Sequence, residues 1–234
     1  MTRLFILTIV ILTSCVTIHN KKDFTYLTNT NATSLDLLNL NGYYFCEDSI
    51  YQYYNYQTTN LLSSPYKPGI TGKYQDSMKT NVISAIILYK TGHAYICDIT
   101  FSGIQITEKD DKITGENTLA ASKKDFQDFI KMIDTKNYKK NRFGISYWGA
   151  YRFENDKINI QYFENRTGNY DLIELQGLII DKTKFRLIKR VNRSNHTDKK
   201  QINDLYGFES HHFKPDSTNN YIEKLIQRIQ KVQV

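Results

Sequence analysis

Three cysteines, five histidines and a scatter of carboxylates are the side chains with chemistry to offer in this 234-residue chain. A thiolate is both a nucleophile and a soft metal ligand. Cys15 directly follows an apolar run, while Cys46 and Cys97 stand alone, with no second Cys or His at ligand spacing. Of His19, His93, His196, His211 and His212, only the last two are adjacent. Neighbours on a strand point to opposite faces, so that pair cannot hold one metal from a strand. Glu164, Asp171 and Glu174 share one stretch. A glycosidase pair needs two carboxylates across a cleft, which their spacing alone does not supply. Glu174 alternates with Leu172 and Gln176, the pattern of a solvated strand face. No Gly-x-Ser-x-Gly, phosphate-binding loop or dinucleotide fingerprint occurs. The reading is a non-enzymatic chain with no catalytic residues, no metal and no cofactor.

The elements that would position these residues are mostly strands. Residues 38–234 read as a single β-rich domain, preceded by a polar stretch over 16–37 that predicts a flexible tether spanning roughly 25 Å as a coil. Asn41-Gly42 introduces a first strand, Tyr43-Tyr44-Phe45-Cys46. Residues 48–80, rich in Tyr and turn formers, read as a long irregular insertion or lid. Val82–Tyr89 and Ala94–Phe101 flank Lys90-Thr91-Gly92-His93 and predict a hairpin. Gly103–Thr107 and Lys112–Thr114 predict a shorter pair. Phe126, Phe129, Ile130 and Ile133 fall on one helical face behind Ser122-Lys123-Lys124-Asp125, read as the cap, giving a helix near residues 122–135.

A meander follows. Tyr147–Phe153, Ile158–Phe163, Tyr170–Ile180, Phe185–Val191 and Tyr206–Phe213 are strands joined by polar turns, and Asn220–Val232 is an amphipathic helix. About eight strands with short turns predict a mainly β fold, an antiparallel up-and-down barrel or strongly curved sheet, with one internal and one C-terminal helix. Trp148 shares a face with Ala150 and Arg152, and Tyr147, Gly149, Tyr151 and Phe153 occupy the other. One of those faces lines the interior. Tyr44, Trp148 and Tyr151 are the candidate ligand-lining side chains, with core filling as the competing role.

Arg3 followed by Leu4–Leu12 has the length of a signal-peptide apolar region, short of the roughly 20 residues a bilayer span needs. Leu12-Thr13-Ser14-Cys15, directly after it, resembles the lipobox of bacterial lipoproteins. The resemblance implies a signal peptide over 1–14, cleavage before Cys15, and a thioether from the Cys15 sulfur to diacylglycerol. The lipid anchor at Cys15 would make the membrane its partner. Val16, where Asp would signal inner-membrane retention, implies the outer membrane and leaves open the periplasmic or cell-surface face. Lipidation consumes one thiol and leaves Cys46 and Cys97 in an oxidising compartment. They stand as a disulfide, if their strands are neighbours, or as two separately buried thiols. An exported location also sets aside nucleic acid as the partner of the net +7 charge. The dense basic run, Lys184–Arg193, reads as a strand with one solvated face. Abundant Asn, Lys, Ile and Tyr, with the lipobox, resembles lipoproteins of the Bacteroidota, as do Asp48-Ser49-Ile50, Asp76-Ser77-Met78 and Asp216-Ser217-Thr218, which match the Asp-Ser/Thr glycosylation signal of that group.

The strand order resembles the calycin group of lipocalin-like barrels. Gly42-Tyr43-Tyr44 stands where that group has Gly-x-Trp, with Tyr44 replacing the Trp. That resemblance implies a lipid-anchored domain binding a small apolar or amphipathic ligand inside a hollow barrel. Two other functions fit the same residues. One is an envelope scaffold that meets a protein partner through Tyr51, Tyr53, Tyr54 and Tyr56. The other is an envelope hydrolase, which needs clustered carboxylates in a cleft.

Overall fold

The computed structural model describes residues 18–19, 21–25, 36–56, 74–101, 104–109, 112–134, 148–166, 169–195, 198–217, 222–225 and 227. Cys15 and the segment read as a signal peptide lie outside the described residues. Among the described residues there are ten strands: β1 Gly42–Tyr56, β2 Tyr74–Leu88, β3 His93–Phe101, β4 Ile104–Lys109, β5 Lys112–Asn117, β6 Trp148–Glu154, β7 Lys157–Arg166, β8 Asn169–Asp181, β9 Lys184–Asn192 and β10 Lys199–Ser210. Eight of them close an antiparallel barrel in the order β1-β10-β9-β8-β7-β6-β3-β2, and β4 with β5 forms a separate hairpin. The barrel is therefore an up-and-down meander, as the turn spacing predicts. Two of its turns need unusual backbone, met by Gly92 with φ 84° and by Asn155 with φ 56°.

Two apolar clusters sit on opposite sides of the wall. Every barrel strand contributes to the first, which includes Tyr44, Ile86, Ile96, Tyr151, Ile160, Ile173, Phe185 and Tyr206, with partly buried Phe153 against it. That cluster is the interior. The second includes Tyr43, Phe45, Ile87, Tyr95, Cys97, Trp148 and Leu172 from the wall, and Phe126, Ile130, Ile222 and Leu225 from helical segments. It is an outer core. Helix α1, Leu119–Asp134, lays Phe126 across Tyr43, Phe45 and Phe101 with ring centroids at 5.6, 5.7 and 5.4 Å. Lys123 fastens the same helix to Glu47 at 2.8 Å and to Glu209. The C-terminal helical turn at 222–225 buries Ile222 and Leu225. Burying the outer wall of a sheet this way gives both of its faces the hydrophobic driving force of a core.

One end of the barrel is closed by its own backbone. Leu38 and Leu40 are buried there. The Tyr44 hydroxyl is shared between the carbonyls of Asn39 at 2.9 Å and Lys182 at 3.1 Å. The segment after β10 crosses this end: the Tyr43 hydroxyl donates to the Phe213 carbonyl, Tyr89 to the Pro215 carbonyl at 2.9 Å, and Lys214 Nζ to the carbonyls of Leu40 and of Leu88, the latter at 2.9 Å. The Lys214 ammonium also lies 5.1 Å from the Tyr89 ring centre. Its partners are neutral, and burial lowers its pKa to about 8, with Lys90 adding repulsion. The folded protein therefore binds this proton less tightly than the unfolded chain. Stability should rise as pH climbs from about 8 toward the ordinary lysine value near 10.4, and this slope should vanish in Lys214→Met. Comparing urea unfolding of the two proteins across that range measures it; parallel curves would show that the ammonium is not destabilised by the fold.

Several expectations are corrected. Residues 48–56 and 74–80 are not irregular: β1 and β2 pair continuously from Tyr44–Ile86 to Tyr56–Tyr74, and the rest of the stretch, 57–73, lies outside the described residues. β10 begins at Lys199, inside the stretch read as a loop, because its polar residues ladder with β9. The α1 cap is Thr118, whose Oγ1 accepts the Ala121 N–H at 3.1 Å, while Ser122 is already helical and bonds back to the Thr118 carbonyl at 3.2 Å. Of the two readings left open for Cys46 and Cys97, the separate thiols hold: the two form no disulfide with each other. Cys46 pairs with Ser84 and Cys97 with Ala85, adjacent residues of the intervening β2, so the two side chains point to opposite faces across two strand spacings, about 10 Å. No disulfide can span that.

The polar stretch before the domain is also partly docked. Ile18 makes a parallel bridge with Tyr170, and the His19 N–H donates to the Tyr170 carbonyl at 2.9 Å. After a single 3-10 turn at Lys21–Asp23, Phe24 is 3% exposed and stacks on Phe163 at 5.6 Å. One buried aromatic, one backbone hydrogen bond to Tyr170 and two hydrogen bonds with the Gln161 side chain hold this short polar segment on the wall.

Candidate functional site

The sequence-predicted lining residues divide between the two faces. Tyr44 and Tyr151 point inward, and Trp148 belongs to the outer core, where it meets Tyr95 at 5.2 Å and Tyr89 at 5.5 Å. Toward the closed end the interior is tightly packed. Tyr44, Tyr151, Ile158, Ile160, Ile173 and Phe185 each have 0% accessible surface, so no space large enough for a water touches them. Phe185 stacks on Tyr206 at 5.1 Å and 5°, and on its other side meets Tyr44 at 5.0 Å. Tyr151 donates its hydroxyl to the Tyr89 carbonyl at 2.7 Å, and burial pushes its pKa well up. Packed rings thus fill the interior around these residues, with Tyr44 at the closed end of the barrel.

Polar groups gather instead toward the opposite, open end and along the outside. A bulge between Gln176 and Gly177 shifts the β8–β9 register, so that Leu175, an interior residue, faces Arg190. Arg190 therefore turns inward, 2.6 Å from Glu164, rather than joining a solvated face. Asn192 donates to Asp171 at 3.1 Å nearby. Cys46 lies in the same half of the interior; burial first, then the Asp204 and Asp48 carboxylates, push its thiol up to about 11. A thiol so raised is a poor nucleophile at neutral pH.

On the outer wall, a pocket of about 500 Å³ opens in the seam between the docked N-terminal segment and strands β6, β7 and β8. Lys22, Asp23, Thr25, Arg152, Gln161, Glu174 and Arg193 line it. Alternation from the inward Ile160 and Ile173 places Gln161 and Glu174 outward, and the segment then roofs them over. Glu174 is only 2% exposed, which corrects its reading as part of a solvated face. Arg193 holds it through Nε at 2.8 Å and Nη2 at 2.5 Å, and Gln176 donates to it at 2.7 Å. Gln161 ties the roof down: its Oε1 accepts the Thr25 N–H at 3.0 Å and its Nε2 donates to the Asp23 carbonyl at 3.3 Å. Arg152 pairs with Glu154 at 2.5 Å from the pocket's edge. Donors outnumber acceptors in this lining, and no aromatic ring is part of it. The chemistry suits a polar, acidic group and not a hydrocarbon. Sequence reasoning missed the pocket because its floor and roof are about 140 residues apart, and only the burial of Phe24 between polar neighbours could have signalled the roof.

Comparison leaves the geometry to speak alone. No family model matches the chain, and no curated protein or solved structure matches it.

Proposed function

We propose that this chain is an outer-membrane lipoprotein, anchored by lipid on Cys15, whose barrel is a solid non-enzymatic platform that binds on its outside. The observation that carries the reading is the packed interior. A closed barrel is compatible with a lipocalin-like binding domain, but around Tyr44, Tyr151, Ile160, Ile173 and Phe185 the inward side chains leave no room for an apolar ligand. The binding surface is then the seam pocket, and the ligand class changes from apolar to acidic and polar, such as a uronic acid of an envelope polysaccharide. Arg152, Arg193 and Lys22 would supply the donors, and the Glu174–Arg193 pair fixes one guanidinium in place.

One NMR experiment separates the readings. D-glucuronate should shift the Nε–Hε signals of Arg152 and Arg193 saturably, while a soluble fatty acid should leave the methyl signals of Ile160 and Ile173 unmoved. Saturable methyl shifts with the fatty acid would restore the interior carrier. Co-purification of a protein partner, with no shift from either probe, would favour the scaffold. The anchor has its own test, since an acyl analogue fed to the producing cells should label the wild type and not Cys15→Ala.

A further inference from the structure

We propose that the barrel stands with its open end on the bilayer and that the distal half of the β1–β2 hairpin is the element that meets anionic lipid headgroups. The inference rests on the reading of Cys15 as the lipid-bearing residue. Its direction comes from the docked segment. β8 runs from the open end at Asn169 to the closed end at Asp181, where the turn to β9 lies beside Asn39. The bridge between Ile18 and Tyr170 is parallel, so the N-terminal segment enters at the open end and runs down the wall to Phe24 and Thr25. Cys15 is three residues upstream of Ile18. Even fully extended, those residues span about 11 Å. The free leash is therefore less than half the roughly 25 Å of an undocked tether, and it leaves from one defined rim.

The same rim carries a long ribbon. β10 pairs with β1 only as far as Cys46, and β3 pairs with β2 only from Ile83 onward. Beyond those points Glu47–Tyr56 and Tyr74–Val82 pair with each other, and no third strand among the described residues joins them. The eight steps from Asp48 to Tyr56 extend about 26 Å at ordinary strand rise. β10 continues beside part of this length to Lys199, and the ribbon ends toward the same open end from which the leash leaves, so a barrel held by Cys15 turns the ribbon toward the bilayer surface. The ribbon carries Tyr51, Tyr53, Tyr54, Tyr56 and Tyr74, and tyrosine is the residue type favoured where apolar and aqueous layers meet. Exposed Lys199 and Lys200 begin β10 at this end, and exposed Lys21 and Lys22 lie on the docked segment. Each basic residue near an anionic surface adds electrostatic attraction.

The test uses the acylated full-length protein in phosphatidylethanolamine–phosphatidylglycerol vesicles containing nitroxide-labelled lipid. A fluorophore is placed at Gln52→Cys on the ribbon or at Lys182→Cys on the closed end. Cys97 is buried and the Cys46 thiol is raised to about 11, so labelling near pH 7 selects the new thiol. Quenching should be severalfold stronger at position 52 than at 182, and Phe24→Ala, which frees the segment, should bring the two values together. Equal or reversed quenching in protein whose mass shows the acyl chains overturns the orientation and leaves the anchor standing. Absence of those chains from Cys15 overturns both. A ribbon probe screened from lipid but cross-linked to a co-purified protein overturns the lipid contact in favour of a protein partner.

Discussion

Phe185→Ala is expected to cost about 3–5 kcal/mol of stability and to lower the melting temperature by on the order of 10 °C. The ring has no accessible surface and is packed between Tyr206 and Tyr44. Its removal deletes apolar contacts and leaves a cavity, and a closed ring of hydrogen-bonded strands has little freedom to collapse into it. The cavity should be dry and accept a small apolar molecule, so benzene should recover part of the loss in the variant and do nothing to the wild type. Urea unfolding with and without benzene measures both effects. A cost below about 1 kcal/mol, or benzene stabilising the wild type, would mean that the barrel already holds a void and that the packed-interior argument fails.

Arg193→Ala should have the next largest effect, about 2–3 kcal/mol at neutral pH. It takes from the Glu174 carboxylate, 2% exposed, its guanidinium partner and leaves the amide donors of Gln176 and Gln161 in place. Breaking a fully buried pair costs more, but Arg193 is itself 39% exposed and water can take part of its place. Adding Glu174→Gln to the variant should restore most of the stability, since an amide needs no counter-charge. If the double variant is as weak as the single one, the arginine acts through packing and not through the carboxylate. The same pair of variants should abolish the glucuronate response, because they remove the fixed guanidinium from the pocket.

What could be read in advance follows the physics of each element. Strands β6 to β9 were legible because tight polar turns bracket alternating runs, as in Ile158, Ile160 and Tyr162 against Asn159 and Gln161. The distal β1 and β2 were not, since a two-stranded ribbon has no core side to impose alternation. Which face of β6 points inward was undecidable from pattern, because Trp148 and Tyr151 are both buried, one on each side of the wall. A barrel that wears a second core outside erases the contrast between faces that such reading depends on. The fate of Cys46 and Cys97 required the register of β2. The burial of Glu174 required Arg193, which approaches only after the chain has turned through β9.

The pairing order also constrains how the molecule comes together. Seven of the eight neighbour contacts in the wall join strands that follow one another in the wall, so the meander can grow hairpin by hairpin with modest loss of chain freedom. Only the seam is different. It joins Gly42–Cys46 to Tyr206–Ser210, five residue pairs that must bring together chain segments separated by nearly the whole domain. The strap from His211 to Pro215 and its lysine lie just beyond this seam, and their bonds to Tyr43, Tyr89, Leu40 and Leu88 fasten it from the end. The barrel is thus a rolled ribbon whose last turn is latched, and the latch makes a short, late contact hold as firmly as the wall it completes.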